Sequence, residues 1–276
     1  MAKIKEALIN YGVPLAVFIA ISVLMPDCRD TKPSGEAQAI ASLKASAEKG
    51  DATSQFRLGE KYRYGWDVET NASEAAKWIK RAAEGKHREA QHTMGLMYSS
   101  GEGVRSNEAT AVWWFRRAAE QNYADSQYYL GSAYREGKGI QKDYVEAVKW
   151  FRRAAEQSLE IAELELGTCY AAGEGVEMNP TEAVSWYRKA AGRNFPAAQL
   201  LLGLCYENAN GVKKDLVEAY AWYNLASAHP FYGSDKDAAR RRDDLEKKLT
   251  PTQVAAAQKR TQELKASIEN ERAKRR

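Results

Sequence analysis

Histidine is scarce in this sequence. His87, His92 and His229 are the only three, and no two stand at a metal-binding spacing such as His-x-x-x-His. Cysteine is as rare: Cys28 follows an apolar run, and Cys169 and Cys205 stand 36 residues apart. A cysteine nucleophile needs a base in reach and a depressed thiol pKa, and the sequence offers neither. No disulfide framework is visible. An excess of one charge is also missing. The 41 Lys and Arg residues against 37 Asp and Glu leave +4, too weak and too dispersed a balance for nucleic acid. The one concentrated basic segment is the tail from Arg272 to Arg276, read as a solvated end. Carboxylates are numerous but scattered, with no pair set in an apolar stretch for acid–base work. These absences argue against an enzyme, a metal centre and a small-molecule cofactor.

What the sequence does have is a period. Gly59, Gly95, Gly131, Gly167 and Gly203 follow one another at 36 residues. A bulky apolar residue precedes each (Leu58, Met94, Leu130, Leu166, Leu202). A tyrosine follows three residues on (Tyr62, Tyr98, Tyr134, Tyr170, Tyr206), an alanine sixteen on and a tryptophan nineteen on. Five of the seven tryptophans lie in that last column: Trp78, Trp114, Trp150, Trp186 and Trp222. Self-similarity at such a period means stacked supersecondary units that share a continuous core.

The third copy shows the unit. Ser126, Leu130, Gly131 and Tyr134 share one face of a first helix. Glycine inside a helix costs roughly 1 kcal/mol against alanine, so its recurrence predicts close approach of a partner backbone. Gly137 and Gly139 end this helix and permit positive φ, with Ile140 plugging the turn. Asp143 is the expected N-cap of a second helix, with Glu146 three residues later. Ala147, Trp150, Ala154 and Ala155 form that helix's packed face. The paired loop glycines resemble a phosphate loop only superficially, since no strand precedes them and no Gly-Lys-Ser/Thr follows. His92 shares a column with Phe56, Tyr128, Leu164 and Leu200 and is expected to be a packed ring. Cys169 and Cys205 share a column with Lys61, Met97 and Ala133 and read as unbridged packing thiols. Stacked helices lie about 8–10 Å apart, and a disulfide needs Cα atoms within about 7 Å.

The pattern Leu-Gly-x-x-Tyr-x-x-Gly-x-Gly-Val, then Glu-Ala-x-x-Trp-x-x-x-Ala-Ala, resembles the Sel1-like repeat, a relative of the tetratricopeptide repeat. It covers about Ala52 to Ala228 in five copies. Two departures stand out: Asp67 replaces the second loop glycine of the first copy, and Ala209 replaces the first loop glycine of the fifth. The resemblance implies an all-α, right-handed α-solenoid of helix-turn-helix units. It implies a protein-binding scaffold or adaptor. Some members of the family are immunity partners of secreted toxic enzymes, which gives a second reading. Cysteine-rich members with β-lactamase activity give a third, but they carry a cysteine pair in each unit and this chain does not.

Around the five repeats, taken as 51–230, the ends read differently. Residues 34–50 resemble the second helix of a preceding half-repeat, with Ser42 where tryptophan belongs. Within 231–276, Asp235 to Leu249 is helix-prone. Thr250, Pro251 and Gln253 then start a helix expected to reach about Asn270. These two helices are expected to cap the stack. Within 1–30, Ala7 to Met25 is nineteen residues without charge, preceded by Lys3 and Lys5, just long enough to span a membrane as a helix. The basic flank places the repeats outside the cytoplasm, so the expectation is a single-pass anchor in a bacterial inner membrane with repeats facing the periplasm. A cleaved signal peptide and a lipoprotein acylated at Cys28 remain alternatives.

If the repeating columns are packing, specificity belongs to positions that vary. First helices in such stacks line the concave surface. A stripe two before, one after and four after each glycine lies on one helical face. It comprises Arg57, Glu60 and Arg63; Thr93, Leu96 and Ser99; Tyr129, Ser132 and Arg135; Glu165, Thr168 and Ala171; and Leu201, Leu204 and Glu207, with Tyr128 beside it. Arginine and tyrosine, enriched at interface hot spots, fall in the first three copies, and the apolar fifth is expected to lie under the C-terminal helices.

Overall fold

The computed structural model describes residues 35–228 and 235–274. The expected membrane segment, Cys28 and His229 lie outside the described residues. Among those described, no helix is long and apolar enough to cross a membrane.

The chain forms a run of helices joined by short turns, with no strand among the described residues. They are α1 (Gly35–Glu48), α2 (Ala52–Tyr64), α3 (Ala72–Glu84), α4 (Arg88–Ser100), α5 (Glu108–Glu120), α6 (Ala124–Glu136), α7 (Tyr144–Glu156), α8 (Glu160–Ala172), α9 (Pro180–Gly192), α10 (Pro196–Asn208), α11 (Leu216–Ser227), α12 (Asp235–Glu246) and α13 (Pro251–Ala273). Helices α1 to α12 each pack chiefly on their neighbours in sequence, as a solenoid requires, and α13 packs on α11.

Turn chemistry fixes the helix lengths. Each second helix starts on an Asn or Asp whose side chain accepts a backbone N–H two or three residues on: Asn71, Asn107, Asp143, Asn179 and Asp215. Each first helix ends on a left-handed residue, a glycine in four copies and Ala209, at φ 57°, in the fifth.

The landmark glycines admit a side chain more than a backbone. A Cβ on Gly131 would lie 2.7 Å from the Phe151 ring and 3.2 Å from the Ala147 carbonyl oxygen. The same seat is taken by Ile79, Phe115, Tyr187 and Tyr223 over Gly59, Gly95, Gly167 and Gly203. The expected backbone approach is thus real but secondary. The column twenty residues after each glycine, overlooked beside the tryptophans, fills the space.

Two further columns hold repeat to repeat. Gln55, Gln91, Gln127 and Gln199 each donate to the carbonyl of the alanine eight residues earlier, at the end of the preceding second helix. This satisfies a carbonyl that a helix end leaves open. Gln121 and Gln157 then donate to Gln91 and Gln127, both at 2.7 Å. In the fourth copy the pair is Glu163 and Arg193, with the guanidinium Nε donating at 3.2 Å to both carboxylate oxygens. The tyrosine column does more than pack. Arg116, Arg152 and Arg188 donate to the hydroxyls of Tyr134, Tyr170 and Tyr206, each one repeat further on.

Helices outside the five repeats pack on both ends. Helix α1 packs on α2, and Ala47 and Leu43 join Leu58 and Trp78. At the other end α12 and α13 pack on α11. Leu245, Leu249 and Ala257 meet Tyr220 and Tyr223, while Leu264 and Ile268 join the cluster around Trp222. The reciprocal capping box of Thr250 and Gln253 is formed, and the last helix runs three residues past the expected end. Arg260 of α13 pairs with Glu218, and the Trp222 indole N–H is left buried without a partner among the described residues. In the preceding repeat the equivalent carboxylate, Glu182, accepts from Trp186.

Candidate functional site on the first-helix row

The stripe residues sit on α2, α4, α6, α8 and α10, each one repeat from the next. Their side chains are not equally free. Arg63 grips Glu102, in the loop of the next repeat, with two hydrogen bonds of 2.8 Å and lies 3.7 Å from Glu60. This bidentate bond holds the Glu102 carboxyl below its usual range, while burial pushes Glu60 up. Arg135 pairs with Glu165 of the next repeat. These pairs bridge α2 to the second loop and α6 to α8, so they stiffen the row before any partner arrives. Arg57 is exposed and has no ion-pair partner among the described residues.

Thr93 departs from the expected open stripe. It is buried, and its hydroxyl donates to the Glu89 carbonyl 2.9 Å away, the usual way a helical threonine satisfies itself. Thr168 does the same to Leu164 at 3.0 Å but stays half-buried. Leu96 and Ser132 are half-buried too. In the fifth repeat Leu204 packs with the cluster that Leu245, Leu249 and Ala257 complete, so the C-terminal helices cover that part of the row as expected. Leu201 lies beside it in the adjoining cluster.

The centre of the row is aromatic. Tyr129, 39% exposed, stacks on Phe115 with centroids 4.9 Å apart and planes at 17°. His92 lies 5.5 Å from Tyr129, 5.7 Å from Phe115 and 5.1 Å from Tyr123, and Tyr128 meets Tyr129 edge-on at 5.4 Å. His92 is thus the packed ring expected. Burial pushes its imidazole below the usual histidine range, so the ring is neutral at pH 7, and its Nδ1 pairs with the Ser126 hydroxyl at 2.9 Å. The result is a rigid platform that exposes one face of Tyr129, with Leu96 in the preceding repeat and Arg135 in the following turn. Tyr129 and Arg135 were legible from residue type. The supporting Phe115, on α5, and Tyr123, in the turn before α6, were not.

Among the described residues no group of three or more His, Cys, Asp or Glu side chains is placed to hold a metal ion. Cys169 and Cys205 are buried and unbridged. Burial pushes both thiols up to about 11. In a Cys28→Ser background the native protein at pH 8 should react with a disulfide reagent about a hundredfold more slowly than after denaturation. Stopped-flow absorbance measures this, and equal rates would show the two thiols to be accessible.

Likeness to known proteins is specific. The Sel1 repeat profile matches residues 52–87, 88–123, 124–159, 161–195 and 196–230. A Sel1 repeat protein from Oxalobacter formigenes is 36% identical, over 73% of this chain and 78% of that one, with a TM-score of 0.68. The protein c5321, a protective antigen of uropathogenic Escherichia coli strains with an SLR fold, is 28% identical over 86% of this chain and 58% of that one, with a TM-score of 0.55. An immunity protein from Pseudomonas aeruginosa matches at 17% identity over 86% of this chain and 85% of that one. Its TM-score is 0.42, a likeness that carries no functional inference. A search of curated proteins gives no match. Five consecutive profile matches over most of the chain, with the packing columns occupied as the family pattern requires, make this chain a member of the Sel1 repeat family.

Proposed function

We propose that the protein is an adaptor that binds a protein partner on its first-helix row, centred on the Tyr129 platform. Sel1 repeat proteins are protein-interaction scaffolds. The observation that carries the reading is the platform itself. Tyr129 occupies a column filled by Arg57, Thr93, Glu165 and Leu201 in the other copies, so packing does not require a tyrosine there. It is nonetheless held rigid by three rings and left with an open face, as interface anchors are. The flanking Arg63–Glu102 and Arg135–Glu165 pairs fix the distance between repeats, which lowers the ordering cost of binding.

A variant carrying Tyr129→Ala, Leu96→Arg and Ser132→Arg should lose partners recovered by crosslinking in cells, with binding of the purified partner weakened at least about tenfold. Circular dichroism and thermal melting check that the solenoid is intact. If every recovered partner binds the variant as before, the platform is not the interface. The setting we propose is a bacterial inner membrane with the repeats facing the periplasm, supported by the uncharged run from Ala7 to Met25 behind Lys3 and Lys5. Protease added to spheroplasts should then digest the repeats, and full protection would overturn that topology.

A further inference from the structure

The first-helix row is covered at its C-terminal end, where Leu200 and Leu204 pack into the cluster completed by Leu245, Leu249 and Ala257. At its N-terminal end the gap between α1 and α2 is a groove of about 420 Å³, lined by Leu43, Phe56, Arg57, Glu60, Lys61 and Trp66. Its apolar wall is unusual for this chain. Trp66 is 56% exposed, and Tyr64, with its ring 4.8 Å away, is 49% exposed. Neither ring is required by the fold. The Trp66 column holds Glu102, Lys138, Glu174 and Asn210 in the other repeats, and the Tyr64 column holds Ser100, Glu136, Ala172 and Asn208. Two adjacent aromatic rings thus stand in water where every other copy is polar or small.

The charges around the groove divide into satisfied and unsatisfied. Lys61 is held by Asp67 at 2.5 Å, and Arg63 by Glu102. Arg57 is exposed with no ion-pair partner among the described residues. Glu60 Oε1 is shielded from solvent and accepts no hydrogen bond among the described residues, with Arg63 3.7 Å away. An apolar wall and an exposed guanidinium with no ion-pair partner among the described residues are the complement of a polypeptide segment that carries an apolar and an acidic side chain. They do not suit a nucleic acid or an anionic membrane, which need several free cations together.

We propose that this groove is an anchor pocket for an extended segment of the protein partner, one that presents a bulky aliphatic side chain beside a carboxylate. The aliphatic side chain lies against Trp66 and Phe56, and the carboxylate pairs with Arg57. The proposal rests on the first-helix row being a protein-binding surface, and it adds the chemistry by which one end of that surface selects.

The test uses the full chain labelled with 5-fluorotryptophan, with the Trp66 fluorine resonance assigned by Trp66→Phe. Three blocked pentapeptides are titrated: Gly-Asp-Gly-Leu-Gly, in which an extended backbone puts Asp and Leu on one face, the same peptide with Lys for Asp, and the same with Gly for Leu. The first peptide should shift the Trp66 resonance saturably with a Kd of roughly 1 mM, and the other two should bind at least about fivefold more weakly. Arg57→Gln should abolish the preference for Asp over Lys, while Tyr129→Ala should leave the titration unchanged. No saturable shift, or equal shifts from all three peptides, overturns the pocket. So does a concentration-dependent dimer of the free chain that Trp66→Arg dissolves, because the occupant is then a second copy. Peptide binding at Trp66 in a protein whose Tyr129 variant keeps all its partners sinks the platform and leaves the pocket standing. The reverse result sinks the pocket alone.

Discussion

Gly175→Ala should destabilise the solenoid by roughly 3–5 kcal/mol, and Gly173→Ala, two residues away, by only about 1–2 kcal/mol. Both glycines are left-handed, at φ 71° and 72°, so the conformational cost to alanine is shared. What differs is the neighbour. A Cβ on Gly173 finds its nearest atom in the Met178 side chain, 3.3 Å away. A Cβ on Gly175 would lie 2.1 Å from the carbonyl oxygen of Tyr144 and 2.8 Å from the Val145 nitrogen, the first turn of the second helix one repeat earlier. Backbone cannot rotate aside as a side chain can, so the two repeats must separate. The chain carries its own control for the milder case, since Ala209 already fills the Gly173 column at φ 57°. Differential scanning calorimetry should show Tm falling by about 10 °C for Gly175→Ala and about 3–6 °C for Gly173→Ala. Stack-wide unfolding need not be two-state, so hydrogen exchange across the junction of the third and fourth repeats is the companion measurement. If the two variants melt together, contact with the preceding repeat is not what selects the second glycine.

Arg193→Ala should cost about 3 kcal/mol at neutral pH, and the cost should shrink on acidification. Arg193 faces Glu163, whose side chain is 2% exposed. Removing the guanidinium strands a buried carboxylate. Burial already raises the Glu163 carboxyl above its ordinary 4.5, with Glu160 adding to the rise and Arg193 and Lys189 opposing it. A raised carboxyl binds its proton more tightly folded than unfolded. Its pH-linked contribution is therefore fully present below the unfolded value of about 4.5 and is lost as pH rises through the folded value. Without Arg193 the folded value rises further, so the loss continues to higher pH. Glu163→Gln with Arg193→Gln should recover stability to within about 1 kcal/mol of the parent, because it restores the amide pair seen at Gln127 and Gln157. The amide introduced by Glu163→Gln also gains a donor for the Ala155 carbonyl, the bond that Gln127 and Gln199 make in their own repeats. Urea melts of the three proteins between pH 4 and pH 8 decide this. A single Arg193→Ala cost that does not vary with pH would show that Glu163 is not the group responsible.

The two largest effects fall on columns that the sequence presented differently. The loop glycines announce themselves, because only a residue free at positive φ recurs there. The glutamine column did not. Glutamine on a helix reads as a solvated position, and only the stacked neighbour reveals the Ala119 carbonyl that Gln127 meets. The Glu163–Arg193 exchange becomes visible once the spacing of 30 residues between Gln127 and Gln157 is known to be a contact. The candidate stripe was legible in register but not in exposure. Its positions follow from helical geometry, yet Thr93 is buried, and the exposed pair of Tyr64 and Trp66 lies outside it, at the helix end and in a loop that periodicity ignores.

The sequence by itself determined the repeat, the helix pairs, the positions of the turns and the packed faces. Those depend on local propensity and on a period of 36 residues, which one strand of text carries in full. Tertiary structure decided which side chain sits over each glycine, which amides and ions join one repeat to the next, and which exposed rings are propped up by others. Many of these are contacts between residues 14 to 39 apart in the chain. Their partners are selected by the angle at which one helix pair stacks on the next, and no residue type states that angle alone.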